Sequence, residues 1–264
     1  MTLKQRLADG NVLHGSWCGL DHPSVVQILG QAGFDFISLD MQHSFNTFGS
    51  LTTMIDALDK TGVASMVRVP WNTPDYVMRA LDLGAEAVIV PMVNNAEEAK
   101  RAADACRYAP AGTRSWGPIW SVPRGRLVEH DEGDARSICV VMIETAAGLE
   151  NLDEILAVEG VGAVYIGPND LSLSLGLGRK HYTESDKLRE TIISIVKRCN
   201  AAGVIVGIDC SGAEQAHYWR DQGCNFTISA SDAGLLFKAA SDAARALRGE
   251  AATDGAQEAD IAAI

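Results

Sequence analysis

The chain has no apolar run near the ~20 residues that a membrane-spanning helix requires, and its amino terminus, MTLKQRLADGN, has no apolar stretch of the kind a secretion signal carries. Both absences lead us to expect a cytoplasmic protein. Its six cysteines, at 18, 106, 139, 199, 210 and 224, include no CxxC pair. The spacing typical of zinc sites and redox motifs is therefore missing, and each cysteine reads as a reduced thiol. Cations are in deficit. Against 34 Asp plus Glu there are 22 Lys plus Arg, a net charge of −12, which repels nucleic-acid backbones and anionic membranes alike. No Walker loop, no GxGxxG behind a strand and no HExxH occurs, so nucleotide chemistry and zinc proteolysis have no support. No lysine closes a strand-like run either: positions 4, 60, 100, 180, 187, 197 and 238 fall in helical or loop contexts, which argues against a Schiff-base nucleophile.

What the chain does contain is alternation. At 264 residues and 47% apolar composition it is long enough for one α/β barrel with a sizeable core. Short β-branched runs at 12–18, 34–40, 64–69, 87–91, 138–144, 161–166, 204–208 and 225–228 each precede a stretch of helical periodicity, at 23–32, 48–61, 74–83, 96–108, 146–158, 185–202, 213–222 and 232–248. Pro23 and Pro74 sit where a first helical turn tolerates proline, and Gly33, Gly62, Gly84 and Gly203 stand just past helix ends. Eight right-handed βα units close most simply into a (β/α)₈ TIM barrel; an open doubly wound sheet is the alternative. We expect a single barrel domain over residues 1–248 and a disordered tail over 249–264. The connection 109–136 is long enough to be functional or interfacial, and the glycine-rich GLGRK at 176–180 is expected to be a mobile loop.

In such a barrel, polar residues just after strands line the reactive face. Asp40, Gln42 and His43 follow the second strand, Arg68 interrupts the third, Glu144 ends the fifth, and Asp170 follows Gly167-Pro168-Asn169 after the sixth. A carboxylate closing ICVVMIE needs a partner. Glu144 and Asp170 could hold one divalent ion; alternatively Glu144 pairs with Arg68 and Asp170 caps the following turn. His43 could carry a proton near neutral pH, and Arg68 could face an anion. Helix starts after the last two strands, at 211–212 and 229–232, could present N–H groups to an anion.

The segments AGFDFISLDMQH, MVRVPWN, ALDLGAEAVIVPMVNNAEEA, RYAPAGTRSWG and MIETAAGLENLDEILAVEGVGAVYIGPNDLS occur in order and strongly resemble the HpcH/HpaI aldolase family. The resemblance spans residues 12–248. It implies a (β/α)₈ barrel and a metal-dependent class II pyruvate aldolase that cleaves a 4-hydroxy-2-oxo acid to pyruvate, or a similar 2-oxo acid, and an aldehyde. Carried over by position, Glu144 and Asp170 match metal-binding carboxylates for Mg, Mn or Co, His43 the acid/base histidine and Arg68 the arginine that steadies the enolate. Asp82 matches an aspartate that tunes the histidine. Since its helix runs away from the reactive face, Asp82 is expected to enter a neighbouring subunit's site, in a homohexamer (a trimer of dimers) with swapped C-terminal helices. Trp17, Met142, Gly167, Pro168, Asn169, Asp170 and Trp116 match substrate-pocket positions, with an interface role equally open for Trp116.

Three positions depart from the family pattern. Gln42 replaces an acidic residue, Met142 a glutamine that touches substrate, and Asn169 a small residue before the metal aspartate. Two other readings therefore stand beside the aldolase: an acyl-CoA lyase of the citramalyl- or malyl-CoA type, and a barrel that binds an oxo acid without turnover.

Overall fold

The eight β-branched runs form eight parallel strands: β1 (Leu13–Cys18), β2 (Phe36–Asp40), β3 (Ala64–Arg68), β4 (Ala87–Val90), β5 (Ile138–Ile143), β6 (Val161–Ile166), β7 (Ile205–Asp209) and β8 (Phe226–Ser231). In this computed structural model, which describes residues 1–250, they pair in chain order and close, β8 returning to β1. The open-sheet alternative is thereby excluded. The part of the expected tail from residue 251 onward lies outside the described residues.

Helices cover the outside of the barrel: α1 (Leu3–Ala8), α2 (Pro23–Gln31), α3 (Phe48–Asp59), α4 (Pro74–Asp82), α5 (Ala96–Cys106), α6 (His130–Arg136), α7 (Ala146–Glu150), α8 (Leu152–Leu156), α9 (Pro168–Ser174), α10 (Asp186–Ala201), α11 (Gly212–Asp221) and α12 (Asp232–Arg248). Their starts follow local chemistry. Thr47 and Ser50 form a reciprocal capping box at α3, Asn95 and Ser185 cap α5 and α10, and Pro23 and Pro74 occupy first-turn positions. All six cysteines are free and buried.

Two apolar layers result. One lies between the strands and the helices; the other fills the barrel and is plugged from below by Leu3 and Leu7 of α1. That plug escaped the periodicity reading because six residues make fewer than two helical turns. Inside the barrel, register and side-chain volume are matched. Gly15 pairs with Phe36 and Gly207 with Phe226. A Cβ built on either glycine would fall 2.3 Å from its partner's ring. The two phenylalanines meet edge to face at 6.0 Å, and Tyr165 stacks on Phe226 at 5.9 Å. This aromatic layer is the floor on which the mouth of the barrel rests.

One expectation needs correction. The helix expected over 146–158 breaks into α7 and α8 at Asn151, whose side chain donates to the Asn94 carbonyl at 2.9 Å. The connection 109–136 contains a 3-10 turn, Ile119–Arg124, and α6. The glycine-rich stretch 176–180 lies in turns after the short helix α9, where the Ser172 hydroxyl donates to the Gly178 carbonyl at 2.7 Å.

The filling of the barrel gives a stability prediction. Gly15→Ala should destabilise the protein by about 1–3 kcal/mol through overpacking against Phe36. Adding Phe36→Leu should recover part of that loss, a coupling that urea unfolding of the two single variants and the double variant will measure.

Candidate active site

The strand ends open into a cavity of about 570 Å³, lined among others by Trp17, Asp40, Gln42, His43, Arg68, Met142, Glu144, Tyr165, Gly167, Pro168, Asn169, Asp170, Asp209, Ser231 and Asp232. The polar residues come from neighbouring elements because parallel strands in register deliver their last residues to one face.

Asp40 and Arg68 are register partners on β2 and β3. Arg68 donates Nε to Asp40 Oδ1 at 2.8 Å and Nη2 to Oδ2 at 2.7 Å, a two-pronged pair that fixes the guanidinium plane. The backbone N–H groups of Gln42 and His43 also reach Asp40, at 2.9 and 3.3 Å, so one carboxylate orders both the arginine and the turn bearing the histidine. Asn46 ties the ends of β1 and β2 together by donating to the carbonyls of Cys18 and Asp40 at 2.7 and 2.8 Å. The guanidinium carbon lies 4.4 Å from the centre of the Trp17 ring. His43 is exposed at the mouth, and Gln42 has its side-chain oxygen buried without a partner among the described residues.

Glu144 follows β5 and is buried. Its Oε1 accepts the Met92 N–H at 2.7 Å. Met92 has a left-handed φ of 57°, a conformation that costs a non-glycine residue about 1–2 kcal/mol. Burial pushes the Glu144 carboxyl up to about 7; the Met92 N–H opposes this, neighbouring Asp170 raises it further and Arg68 lowers it. The pairing of Glu144 with Arg68 considered from sequence is absent, because Asp40 occupies that guanidinium. Gly167 is required here for space: a Cβ would lie 2.8 Å from Glu144 Oε2 and 3.0 Å from the Met142 methyl carbon. Asp170 is exposed in the first turn of α9.

A cation suits this donor set. Glu144 is a buried carboxylate whose second oxygen faces the gap left by Gly167, and Asp170 raises its proton affinity, a repulsion that a divalent ion would reverse. No cluster of three or more His, Cys, Asp or Glu side chains suited to a metal occurs among the described residues. The pair would thus leave most coordination positions to water and substrate.

Two further carboxylates line the cavity that strand-end reading overlooked. Asp209 ends β7, one residue beyond the expected strand; it accepts Trp17 Nε1 at 2.8 Å and the Tyr165 hydroxyl at 3.0 Å. Asp232 opens α12 and accepts the N–H groups of Gly19 at 2.9 Å, Leu20 at 2.8 Å and Ala233 at 2.9 Å. The start of α12 is therefore filled by its own carboxylate and is not open to an outside anion, contrary to expectation. Asp209 was legible as a polar residue ending an apolar run; Tyr165 carried no signal, since an aromatic residue inside a strand reads as core.

Asp82 and Trp116 lie outside this chain's cavity. Asp82 is buried at the end of α4 and accepts Arg114 Nη2 at 2.8 Å; burial raises its proton affinity and Arg114 opposes the rise. Trp116 is exposed and donates Nε1 to the Val128 carbonyl at 3.2 Å. No helix among the described residues is long and apolar enough to cross a membrane.

Comparison with known proteins agrees with this fold. The family model described as HpcH/HpaI aldolase/citrate lyase matches residues 13–239. Hydroxypyruvate/pyruvate aldolase of Roseobacter denitrificans is 36% identical over 241 residues, covering 89% of this chain and 92% of that protein. The 2-dehydro-3,6-dideoxy-6-sulfogluconate aldolase of Pseudomonas putida is 36% identical over 243 residues, covering 91% and 94%. Among solved structures, the HpcH/HpaI aldolase from Desulfitobacterium hafniense superposes with a TM-score of 0.87 at 27% identity, over 96% of this chain and 99% of that one. With its barrel, its strand-end carboxylates and these matches over most of its length, the chain belongs to the HpcH/HpaI aldolase/citrate lyase family and is a carbon–carbon lyase of the aldolase type.

Proposed function

We propose that the cavity binds a 4-hydroxy-2-oxo acid and cleaves it reversibly to pyruvate, or a similar 2-oxo acid, and an aldehyde. The observation that carries this reading is the convergence of Glu144, Asp170 and a rigidly held Arg68 on one cavity whose lining contains no lysine for a Schiff base. Glu144 and Asp170 would hold Mg, Mn or Co, which when bound supplies Lewis-acid polarisation of the 2-oxo group. The first-turn N–H groups of α9, at Asn169 and Asp170, have no partner within the helix and would receive the substrate carboxylate, with Gly167 and Pro168 shaping that wall. Trp17 and Met142 flank the bound acid.

In the cleavage direction His43 takes the proton of the C4 hydroxyl and the C3–C4 bond breaks. The aldehyde leaves, and the electron pair remains as an enolate whose negative oxygen faces Arg68. Gln42, neutral where the family pattern is acidic, leaves the histidine turn with one negative charge fewer. Asp40 is a positioning residue, since it acts through Arg68 and the His43 backbone.

The assembly we propose is a homohexamer, a trimer of dimers. In α12 only Asp232 is buried, while Leu236 is 62% and Leu247 90% exposed, an apolar face suited to a second copy of this chain. On the same reading Asp82 and Trp116 serve a neighbour's cavity. Leu236→Glu should lower the mass measured by light scattering, whereas an already monomeric wild type would refute the assembly.

Two outcomes test the chemistry. A chelator should abolish pyruvate release from 4-hydroxy-2-oxo acids and Mn, Co or Mg should restore it; full activity of metal-free protein would overturn the metal role. Arg68→Ala should lower kcat by at least about a hundredfold and suppress exchange of pyruvate methyl protons with deuterated water. Because that variant leaves Asp40 buried without its cation, it should also lose about 3–5 kcal/mol of stability. A folded Arg68→Ala protein that exchanges at the wild-type rate would remove Arg68 from the mechanism.

A further inference from the structure

Every carboxylate of the cavity has a use except one. Asp40 commits both oxygens to Arg68 and to two backbone N–H groups. Asp232 commits its own to the turn after β1 and to the start of α12, and Glu144 with Asp170 forms the ion-holding pair. Asp209 remains. Its Oδ1 receives both Trp17 Nε1 and the Tyr165 hydroxyl, and its Oδ2 receives no hydrogen bond from the described residues although Asp209 lines the cavity.

Two donors on one oxygen fix the rotation of the carboxylate, so Oδ2 is a placed acceptor. Its supports are rigid. Tyr165 is fully buried and stacked on Phe226, and Trp17 packs edge to face on Tyr165 at 5.9 Å. Burial raises the proton affinity of Asp209 overall, and donation from Trp17 and Tyr165 and the nearby charge of Arg68 offset part of that rise. The same indole that carries Arg68 on its face therefore carries Asp209 on its edge. No step of the cleavage described above requires a group there.

A fixed, otherwise unused carboxylate oxygen in a substrate cavity accepts hydroxyl donors and repels anions. Charge balance points the same way. The lining contains five carboxylates, at Asp40, Glu144, Asp170, Asp209 and Asp232, against one arginine and no lysine. With Arg68 already paired, no lysine or second arginine of the lining is left for an anionic group beyond the substrate's own carboxylate. Resting on the aldolase reading, we propose that Asp209 is a specificity-determining residue: it admits a neutral, hydroxyl-bearing aldehyde as the second reaction partner and rejects aldehydes that carry a phosphate, sulfonate or carboxylate.

The test is aldol addition of pyruvate by the Mn-loaded enzyme to three probes of equal carbon number: glyceraldehyde, propanal and glyceraldehyde 3-phosphate. Wild type should favour glyceraldehyde over each of the others by at least about tenfold in kcat/KM, as a site built to receive a hydroxyl does. Asp209→Leu should lose the preference over propanal, and Asp209→Asn should relax the discrimination against the phosphate by at least about tenfold. Because each value is a ratio within one preparation, a loss of folded protein cancels; if neither variant folds, the wild-type ratios decide. Wild-type ratios near one or reversed, or variants that leave both ratios unchanged, would overturn the proposal. Methyl-proton exchange of pyruvate by wild type without aldehyde separates the two levels. Exchange with failed ratios sinks the specificity inference alone, whereas no exchange removes the aldolase reading and the inference with it.

Discussion

Closing eight strands around an interior obliges the chain to fill that interior, and the site depends on how it does so. Each of two glycines faces a phenylalanine across neighbouring strands, which lets large rings occupy the axis without forcing the sheet apart. With α1 beneath and Tyr165 above, the lower barrel is solid. Only the upper layer is left to polar groups. Tyr165 packs on that aromatic filling and also lines the cavity, where its hydroxyl is committed to Asp209.

Above that floor the organising problem is negative charge in a partly dry space. A carboxylate buried without a counterion or hydrogen bonds is costly, and the molecule answers differently at each one. Asp40 is paired with a bidentate arginine, Asp232 is hydrogen-bonded by a fan of backbone N–H groups, and Asp209 by an indole and a phenol. Glu144 has one N–H on one oxygen, supplied by a residue held in the left-handed region, and a glycine gap beside the other. Of these buried groups it has the fewest internal partners, which suits a ligand brought from outside. Strain at Met92 and space at Gly167 serve the same atom pair.

Much of this was legible in the sequence because it follows from local rules. Alternating β-branched runs and helical stretches, with prolines at helix starts and glycines past helix ends, specify the order and approximate limits of eight βα units. A parallel barrel then sends strand-end residues to one face, so Asp40, His43, Arg68, Glu144 and Asp170 could be named before any coordinates, and all five line the cavity. Gly167, Pro168, Asn169, Trp17 and Met142 were named as pocket positions by the resemblance, and they line the cavity too.

The tertiary structure alone decided the partnerships, because pairing depends on register and on which rotamer reaches across a strand. Arg68 binds Asp40 and not Glu144 since β2 and β3 place those two residues side by side. Tyr165 turned from an ordinary core aromatic into a hydrogen-bond donor through its distance to a residue 44 positions away. Six-residue α1 and the break at Asn151 escaped periodicity because one is too short to show it and the other depends on a carbonyl 57 residues distant. What the sequence by itself determined was the order of elements and the face on which they end, both consequences of local conformation and side-chain alternation. Which carboxylates are satisfied and which remain open toward a ligand was decided only by the closed barrel, where long-range distances set the hydrogen bonds.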